Sequence, residues 1–305
     1  MTAAIEFSNV SKRFDDLKAL DQVSFSVHEG EFFALLGPNG AGKSTLINIL
    51  SGLAKSHSGE VRILGHDVVD EFKMARRSLG VVPQEIVFDP FFTVREMLRL
   101  QSGYFGLGPE NDDWIEELMV TLNLDDKADV NMRKLSGGMK RRVMIAQALV
   151  HKPPVVVLDE PTAGVDVELR RSLWDFVRTL HKRGHTIVLT THYLEEAESL
   201  CGRIAILNKG RLVALEKTQT LIARGLEQNQ EITVLTSQTD PQLPQALEKY
   251  LIAKDHRELR FRLNREDDSI AWLLSMLEAA NIDVLEVNSN RPDLEDVFVS
   301  LTSQK

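Results

Sequence analysis

The chain has 305 residues, 43% of them hydrophobic and 27% charged, which suffices for one large domain and a smaller one. Its formal net charge of −9 argues against a general nucleic-acid surface, because such a surface needs a basic footprint. No apolar stretch approaches the ~18 residues of a membrane span, and residues 1–12 lack the apolar core of a secretion signal. The lone Cys201 excludes an internal disulfide and favours a reducing cytosol.

Residues 37–44 form a glycine-rich segment between a predicted buried strand at 31–36 and a predicted helix at 44–50. The segment fits GxxxxGK[ST], in which glycines leave backbone N–H groups free to wrap a polyphosphate and the lysine reaches the outer phosphates. The phosphates would lie at a helix N-terminus, where unpaired amides and the helix dipole favour negative charge. Ser44 would coordinate Mg²⁺ through its hydroxyl. The predicted nucleotide contacts are Gly37, Pro38, Asn39, Gly40, Ala41, Gly42, Lys43, Ser44 and Thr45.

Two helices are predicted in the middle of the chain, and they favour a helical subdomain at about 85–135. Thr93 and Glu96 form a capping-box pattern that opens a helix through about residue 102, and residues 114–122 predict a second helix. The segment Phe-Asp-Pro-Phe-Phe at 88–92 has two open interpretations. Its aromatic side chains are either part of the core or an exposed patch that would dock a partner.

A second buried strand ends in two acidic residues. The apolar run 155–158 is bounded by Pro153-Pro154 and by Asp159-Glu160-Pro161, a pattern typical of a parallel strand. Asp159 would hold Mg²⁺ directly or through water, and Glu160 would orient and deprotonate the attacking water. The alternative is a solvated acidic pair at a helix start, which the phosphate loop elsewhere in the chain disfavours.

A third buried strand, at 186–191, is followed by His192. Open parallel sheets keep their ligand crevice at the carboxyl ends of their strands, so this side chain is expected within reach of a γ-phosphate. We interpret the other seven histidines as structural or exposed.

The predicted elements favour an α/β fold with a buried, mainly parallel sheet at 1–225, followed by a small α+β domain at 226–305. In the second domain we predict a helix at about 268–280 and short strands at 232–235, 259–263 and 284–287. In the first domain the predicted strands lie near residues 5–8, 22–28, 31–36, 60–65, 79–82, 155–159, 186–191, 203–207 and 211–215.

Residues 135–142, Leu-Ser-Gly-Gly-Met-Lys-Arg-Arg, resemble the signature of the ATPases of ABC transporters, a family with a P-loop NTPase core. Gln84 in Val-Pro-Gln resembles that family's glutamine loop. The resemblance covers roughly residues 4–220, and its segments occur in family order. Ala-Gly-Val-Asp at 163–166 departs from the common Ser-Ala-Leu-Asp, and no departure removes a phosphate, metal or water ligand.

The resemblance implies roles for individual residues. Phe14, where tyrosine is common, would stack on adenine, since stacking needs only a π face; the alternative is a core phenylalanine. Gln84 would bind Mg²⁺ and link it to a membrane partner, and His192 would contact the γ-phosphate. The signature would contact the nucleotide of a second copy, which implies a dimer. The remaining implied nucleotide contacts are Ser136, Gly137, Gly138 and Asp166.

The segment 293–301, Asp-Leu-Glu-Asp-Val-Phe-Val-Ser-Leu, resembles the C-terminal tail on ATPases of ABC-2-type exporters, including drug-resistance and YadG-like subunits. The resemblance implies an ATPase at the cytoplasmic face of the inner membrane, where two copies close on two Mg-ATP and power a separate permease. No direct nucleic-acid partner is expected. An importer ATPase, or a non-transport ATPase acting on nucleic acid or the ribosome, is the alternative. Only 93 positions separate Lys43 from Ser136, with no sustained heptads, which disfavours a chromosome-type ATPase.

Overall fold

The computed structural model describes residues 2–165, 167–228, 230–263, 269–290 and 293–303. The chain divides into two compact units, Met1–Glu216 and Lys217–Lys305. The predicted boundary at 225 lies within a helix of the second unit, Thr218–Gln228. No helix within the described ranges has both the length and the apolar character needed to span a bilayer.

The first unit contains two sheets and seven α-helices among its described residues. Its strands are β1 (Ala3–Phe14), β2 (Leu17–His28), β3 (Phe32–Leu36), β4 (Ser58–Ile63), β5 (His66–Asp67), β6 (Leu79–Val82), β7 (Val155–Asp159), β8 (Thr186–Thr190), β9 (Arg203–Asn208) and β10 (Arg211–Lys217). Its helices are α1 (Lys43–Leu50), α2 (Phe72–Arg77), α3 (Val94–Tyr104), α4 (Asp112–Thr121), α5 (Gly137–Leu149), α6 (Val167–Lys182) and α7 (Leu194–Leu200).

Six of these strands form the central sheet, in the order β10-β9-β3-β8-β7-β6. The pairs β3–β8, β3–β9, β7–β8 and β6–β7 are parallel, which confirms the prediction of a mainly parallel sheet. Every residue of β3, β7 and β8 is buried, as expected for strands that are covered on both faces. Because these strands are parallel, their carboxyl ends meet at one edge of the sheet and place three predicted site segments side by side.

The strands predicted near 5–8, 22–28 and 60–65 belong to a second sheet rather than to the parallel one. This antiparallel sheet has the order β2-β1-β4-β5, and Phe7 pairs with both Phe25 and Val61. The rings of Phe7 and Phe25 lie 4.7 Å apart, and Phe25 stacks on Phe33 of β3 at 5.8 Å, so aromatic packing joins the two sheets. Burial alternates along residues 22–28 of β2, as is common for an antiparallel strand with one covered face.

The segment predicted as a helical subdomain contains α3 and α4, and α3 begins where the capping box indicates. The Thr93 hydroxyl accepts a hydrogen bond from the Glu96 backbone N–H, and the Glu96 carboxylate accepts one from the Thr93 backbone N–H at 2.8 Å. Helix α4 contacts α5 through Trp114, whose indole N–H donates to the Leu149 carbonyl at 3.0 Å. The subdomain therefore packs on the helix that follows the signature turn.

The second unit is a four-stranded antiparallel sheet with helices around it, and its strands lie in the order Leu251–Asp255, Glu258–Leu263, Gln230–Thr236 and Val284–Asn290. Its core joins Val234 and Phe261 of the sheet to Leu273 and Leu277 of the predicted helix. Strand Leu251–Asp255 was not predicted, because four of its five residues are exposed and carry no apolar alternation. The elements are α8 (Thr218–Gln228), β11 (Gln230–Thr236), α9 (Gln245–Glu248), β12 (Leu251–Asp255), β13 (Glu258–Leu263), α10 (Ile270–Ala279), β14 (Val284–Asn290) and α11 (Leu294–Thr302).

Candidate active site

A cleft of about 740 Å³ lies at the carboxyl edge of the central sheet. Its lining also includes Lys18 and Lys209, which sequence reasoning missed and which add positive charge where phosphates would bind. From the predicted set, the structure brings together in this cleft Phe14, Asn39, Gly40, Ala41, Gly42, Lys43, Ser44, Thr45, Gln84, Glu160 and His192.

The phosphate loop has a backbone that only glycine tolerates at its last turn. Gly42 has a φ of +107°, and a Cβ there would lie 2.7 Å from the Ala19 carbonyl oxygen. Gly37 approaches the neighbouring strand β9 as closely, since a Cβ there would lie 2.4 Å from the Leu207 carbonyl oxygen. Helix α1 begins directly afterwards at Lys43, so its unpaired N–H groups point into the cleft.

Lys43 is buried and donates hydrogen bonds to carbonyls of its own loop. Its Nζ lies 2.6 Å from the Gly37 oxygen and 3.3 Å from the Pro38 oxygen. Burial lowers the pKa of this ammonium group, while Glu160 and Asp159 raise it. Lys43 is therefore held inside the loop as a hydrogen-bond donor. Phosphate oxygens that enter the cleft can replace the two carbonyl oxygens as its acceptors.

Asp159 is buried at the end of β7 and accepts a hydrogen bond from the Thr190 hydroxyl. Burial raises the pKa of its carboxyl group, so a cation nearby would stabilise the ionised form. In the described residues no group of three or more His, Cys, Asp and Glu side chains could hold a metal by itself. The Ser44 hydroxyl, the Gln84 amide oxygen and the Asp159 carboxylate are the oxygen donors that suit Mg²⁺, which completes its shell with phosphate oxygens and waters.

Three predicted residues meet at the carboxylate of Glu160. The Gln84 amide N–H donates to Glu160 Oε2 at 2.9 Å, and His192 Nδ1 lies 3.4 Å from the same oxygen. The Glu160 backbone has a φ of +46°, a left-handed conformation that is strained for a residue other than glycine. Its N–H is fixed by the carbonyl and hydroxyl of Thr190, at 3.1 and 3.0 Å. The carboxylate is thus held in one place by several elements.

His192 follows β8 on a loop that a buried carboxylate anchors. Its ring is half exposed, and the preceding Thr191 donates its hydroxyl proton to Glu196 Oε2 at 2.8 Å. Glu196 also accepts from Thr162, at 2.9 Å, and from the Trp174 indole, at 3.2 Å. Sequence reasoning missed Glu196; the signal was an acidic residue on the first helical turn after the histidine.

Phe14 lies on the wall of the cleft and not in the core. Its side chain is 49% exposed, and the Lys12 ammonium group lies 5.0 Å from the ring centroid. A core role is therefore wrong, and the ring offers a free face to a planar ligand.

The signature turn lies outside this cleft. Ser136 caps α5 by accepting a hydrogen bond from the Met139 backbone N–H at 3.2 Å. Ser136 and Gly137 are exposed, and neither they nor Gly138 line the cleft that contains Lys43. The structure therefore does not join the signature to the phosphate loop of the same chain. Asp166 lies outside the described residues.

An apolar groove of about 300 Å³ runs beside the glutamine segment. Its lining includes Val87, which is 68% exposed, together with Phe105 and His151, whose rings stack at 3.6 Å. Of the three phenylalanines in 88–92, Phe91 is 76% exposed, whereas Phe88 and Phe92 are partly buried. The segment is thus neither wholly core nor a continuous aromatic patch.

Comparison with known proteins agrees with this geometry. A family model described as ABC transporter matches residues 20–163. Nod factor export ATP-binding protein I of Burkholderia thailandensis is 47% identical over 221 residues, which are 72% of this chain and 73% of that protein. The chain belongs to the ABC transporter family. A relative with the same name from Rhizobium etli is 44% identical over 223 residues, 72% of this chain and 70% of that one.

Solved ABC cassettes share the fold. The ATP-binding subunit of an ABC transporter has a TM-score of 0.68 and 31% identity, covering 72% of this chain and 92% of its own. A dimeric bacterial ABC transporter cassette has a TM-score of 0.65 and 31% identity, covering 70% and 98%. As an ABC ATPase, the chain binds ATP and hydrolyses it to power transport.

Proposed function

We propose that the chain is the ATPase subunit of an exporter, and that two copies close head to tail on two Mg-ATP to drive a separate membrane-spanning permease. The observation that carries the proposal is the split of the site. Lys43 and Glu160 line one cleft and Asp159 lies within electrostatic reach of Lys43, while Ser136 of the same chain is exposed and does not line that cleft. The export direction is supported by the relatives, which are named export ATP-binding proteins.

In the cleft, the loop amides and Lys43 would bind the phosphates of ATP, and Phe14 would stack on adenine. Ser44, Gln84 and Asp159 would hold Mg²⁺, which neutralises charge on the outer phosphates. Glu160 accepts hydrogen bonds from neighbours that would shift to phosphate or water when ATP enters. Its freed carboxylate would orient the attacking water and take its proton, while the His192 imidazole contacts the γ-phosphate.

The second copy would complete the site through its signature turn. Ser136, Gly137 and Gly138 open α5, so their amides and the helix dipole favour an anion such as the γ-phosphate across the dimer interface. Asp166 would lie near this interface, by resemblance to the family. A copy without a partner lacks these contacts and should hydrolyse ATP slowly.

The groove beside Gln84 would receive an intracellular segment of the permease. Val87 exposes apolar surface at the rim, and the backbone carbonyl of Gln84 is bonded to Arg141 beneath it. A docked permease segment would therefore act on the loop that carries Gln84, whose side chain donates a hydrogen bond to Glu160. Such docking would place the ATPase at the cytoplasmic face of the inner membrane, as a peripheral subunit and without a nucleic-acid partner.

The test is Glu160→Gln, with Glu195→Gln as the matched control because Glu195 is an exposed acid on the helix that follows His192. We expect Glu160→Gln to bind ATP normally by calorimetry and to release phosphate at least about 100-fold more slowly, since the water loses its base. Glu195→Gln should match the unmodified chain. Normal phosphate release by Glu160→Gln would contradict the proposal.

A further inference from the structure

Arg141 is a buried cation that the proposed chemistry does not use. It lies on α5, is 3% exposed, and donates hydrogen bonds to four main-chain carbonyls on two separate loops. The acceptors are the carbonyl oxygens of Pro83 at 2.6 Å, Gln84 at 3.0 Å, Glu160 at 2.7 Å and Pro161 at 3.0 Å.

A buried guanidinium group is costly unless its donors are satisfied, and the hydrogen bonds described for Arg141 all go to uncharged carbonyls. Burial lowers the pKa of Arg141, which the nearby Asp159 and Glu160 partly offset. The same five-donor fork is the only side-chain geometry that can reach four acceptors in two loops at once. The hydrogen bonds of Arg141 therefore fix the two loops relative to each other.

Both loops carry side chains of the proposed hydrolytic site. Gln84 and Glu160 are joined by a hydrogen bond of 2.9 Å between their side chains, although 76 residues separate them in sequence. Glu160 also has the strained φ of +46°, which persists only when surrounding contacts hold it. Thr190 fixes the Glu160 N–H, and Arg141 fixes its carbonyl oxygen from the other side.

We propose that Arg141 is a positioning residue for ATP hydrolysis, which holds the Gln84 and Glu160 loops in register with each other and with the signature helix. The inference rests on the proposed role of Glu160. Arg141 lies five residues after Ser136, which is about 7.5 Å along a helix. A phosphate contact at Ser136 would thus act on the same helix whose Arg141 holds the backbone of Glu160.

The experiment compares Arg141→Lys and Arg141→Met with the control Arg142→Lys in the full chain. Lysine keeps the charge but has one nitrogen, so it cannot reach four carbonyls. Arg142 is adjacent on the same helix and donates to the Leu122 carbonyl at 3.2 Å in the helical subdomain, away from both loops. We expect kcat of both Arg141 variants to fall about 10- to 100-fold, with KM and the calorimetric Kd for ATP within about threefold. Arg142→Lys should keep kcat within about twofold.

A double-mutant cycle distinguishes positioning from a general loss of stability. If Arg141 acts through Glu160, then Arg141→Lys should lower kcat by less than about twofold in a Glu160→Gln background. Full additivity of the two losses would overturn the inference, as would a kcat of Arg141→Lys equal to that of Arg142→Lys. Should Arg141→Met fail to fold, Arg141→Lys decides the result. Normal turnover of Glu160→Gln alone would instead defeat the proposed role of Glu160, so the two failures are distinguishable.

Discussion

The chain contains two glycine-rich turns that each open a helix, and they differ in what surrounds them. The phosphate loop lies in a deep cleft with Lys43 buried and acidic side chains nearby. The signature turn at Ser136 and Gly137 is exposed, although it has a similar helix N-terminus behind it. Helix amides alone therefore make an anion site possible in both places, and the charged neighbours complete it in only one.

This difference fits the proposal that a second copy completes the nucleotide site. The phosphate loop, its lysine, the proposed metal donors and the proposed base all lie within the first unit. The signature turn has exposed donors outside the Lys43 cleft, which agrees with the proposed contact to the nucleotide of another copy.

The largest effect is expected at the signature turn, from Ser136→Asp. Aspartate caps a helix as well as serine does, so α5 should persist, but its carboxylate would repel a γ-phosphate from the second copy. We expect turnover to fall at least about 100-fold, comparable with losing a transition-state donor, while ATP binding to the phosphate loop is unchanged. Phosphate release and calorimetry measure the two quantities.

Ser136→Asn is the matched control, because asparagine has the same shape as aspartate, caps equally well and is neutral. Its turnover should stay within about tenfold of the unmodified chain. Equal loss in the two variants would indicate a steric effect and would contradict the assigned anion contact.

A smaller effect is expected at the phosphate loop, from Lys43→Ala. Losing one charged hydrogen-bond donor costs about 1.5–3 kcal/mol, so the Kd for ATP should rise about 10- to 100-fold in a calorimetric titration. Lys73→Ala removes an exposed lysine from α2 and serves as the control. An unchanged Kd for Lys43→Ala would contradict the assigned difference between the two turns, because Lys43 would then not bind phosphate.

Features that contiguous residues determine could be predicted from the sequence, whereas contacts between residues far apart in the chain could not. The phosphate loop, the capping box at Thr93 and the acidic strand end are each set by contiguous residues, so their patterns predicted them. The meeting of Gln84 and Glu160 depends on parallel pairing of β6 and β7, which the spacing of residues does not reveal.

The burial of two charged residues, Arg141 and Glu196, was also not predicted. Arg141 lies in the basic run 140–142 and Glu196 in the acidic pair 195–196, and charged residues in such runs normally face solvent. Only tertiary contacts show that both are buried and hydrogen-bonded. The separate antiparallel sheet of β1, β2 and β4 was missed for a related reason, because strand partners are chosen by packing rather than by propensity.

The groove provides a reference region away from both turns. Val87→Asp would place a charge in apolar surface, and we expect it to weaken copurification with the permease about tenfold, because burying an unpaired charge is unfavourable. Basal phosphate release should stay within about twofold. Val120→Asp is the control, since Val120 is 60% exposed on α4 and does not line the groove. Equal copurification of the two variants would argue against docking at this groove.

The smallest effect concerns His151, which lines the groove and whose pKa is lowered by burial to about 4. His151 binds a proton near pH 6.5 in the unfolded chain but only near pH 4 in the folded chain. The free energy of unfolding should therefore fall as pH decreases from about 6.5 toward 4. Urea melts measure the free energy of unfolding. Between pH 7 and 5 it should fall by about 1 kcal/mol less for His151→Gln than for the unmodified chain, with solvent screening allowed for. His256→Gln, at an exposed histidine, is the control. Parallel pH profiles for His151→Gln and the unmodified chain would contradict a buried neutral imidazole.

The most direct measurement of the shared site uses Glu160→Gln saturated with Mg-ATP, in sedimentation with quantified nucleotide. The account predicts a particle of twice the chain mass with two ATP molecules, and its return to the single-chain mass when Ser136→Asp is added to the same chain. A stable single copy that retains its ATP with full affinity, or a dimer that is indifferent to Ser136→Asp, would contradict the account.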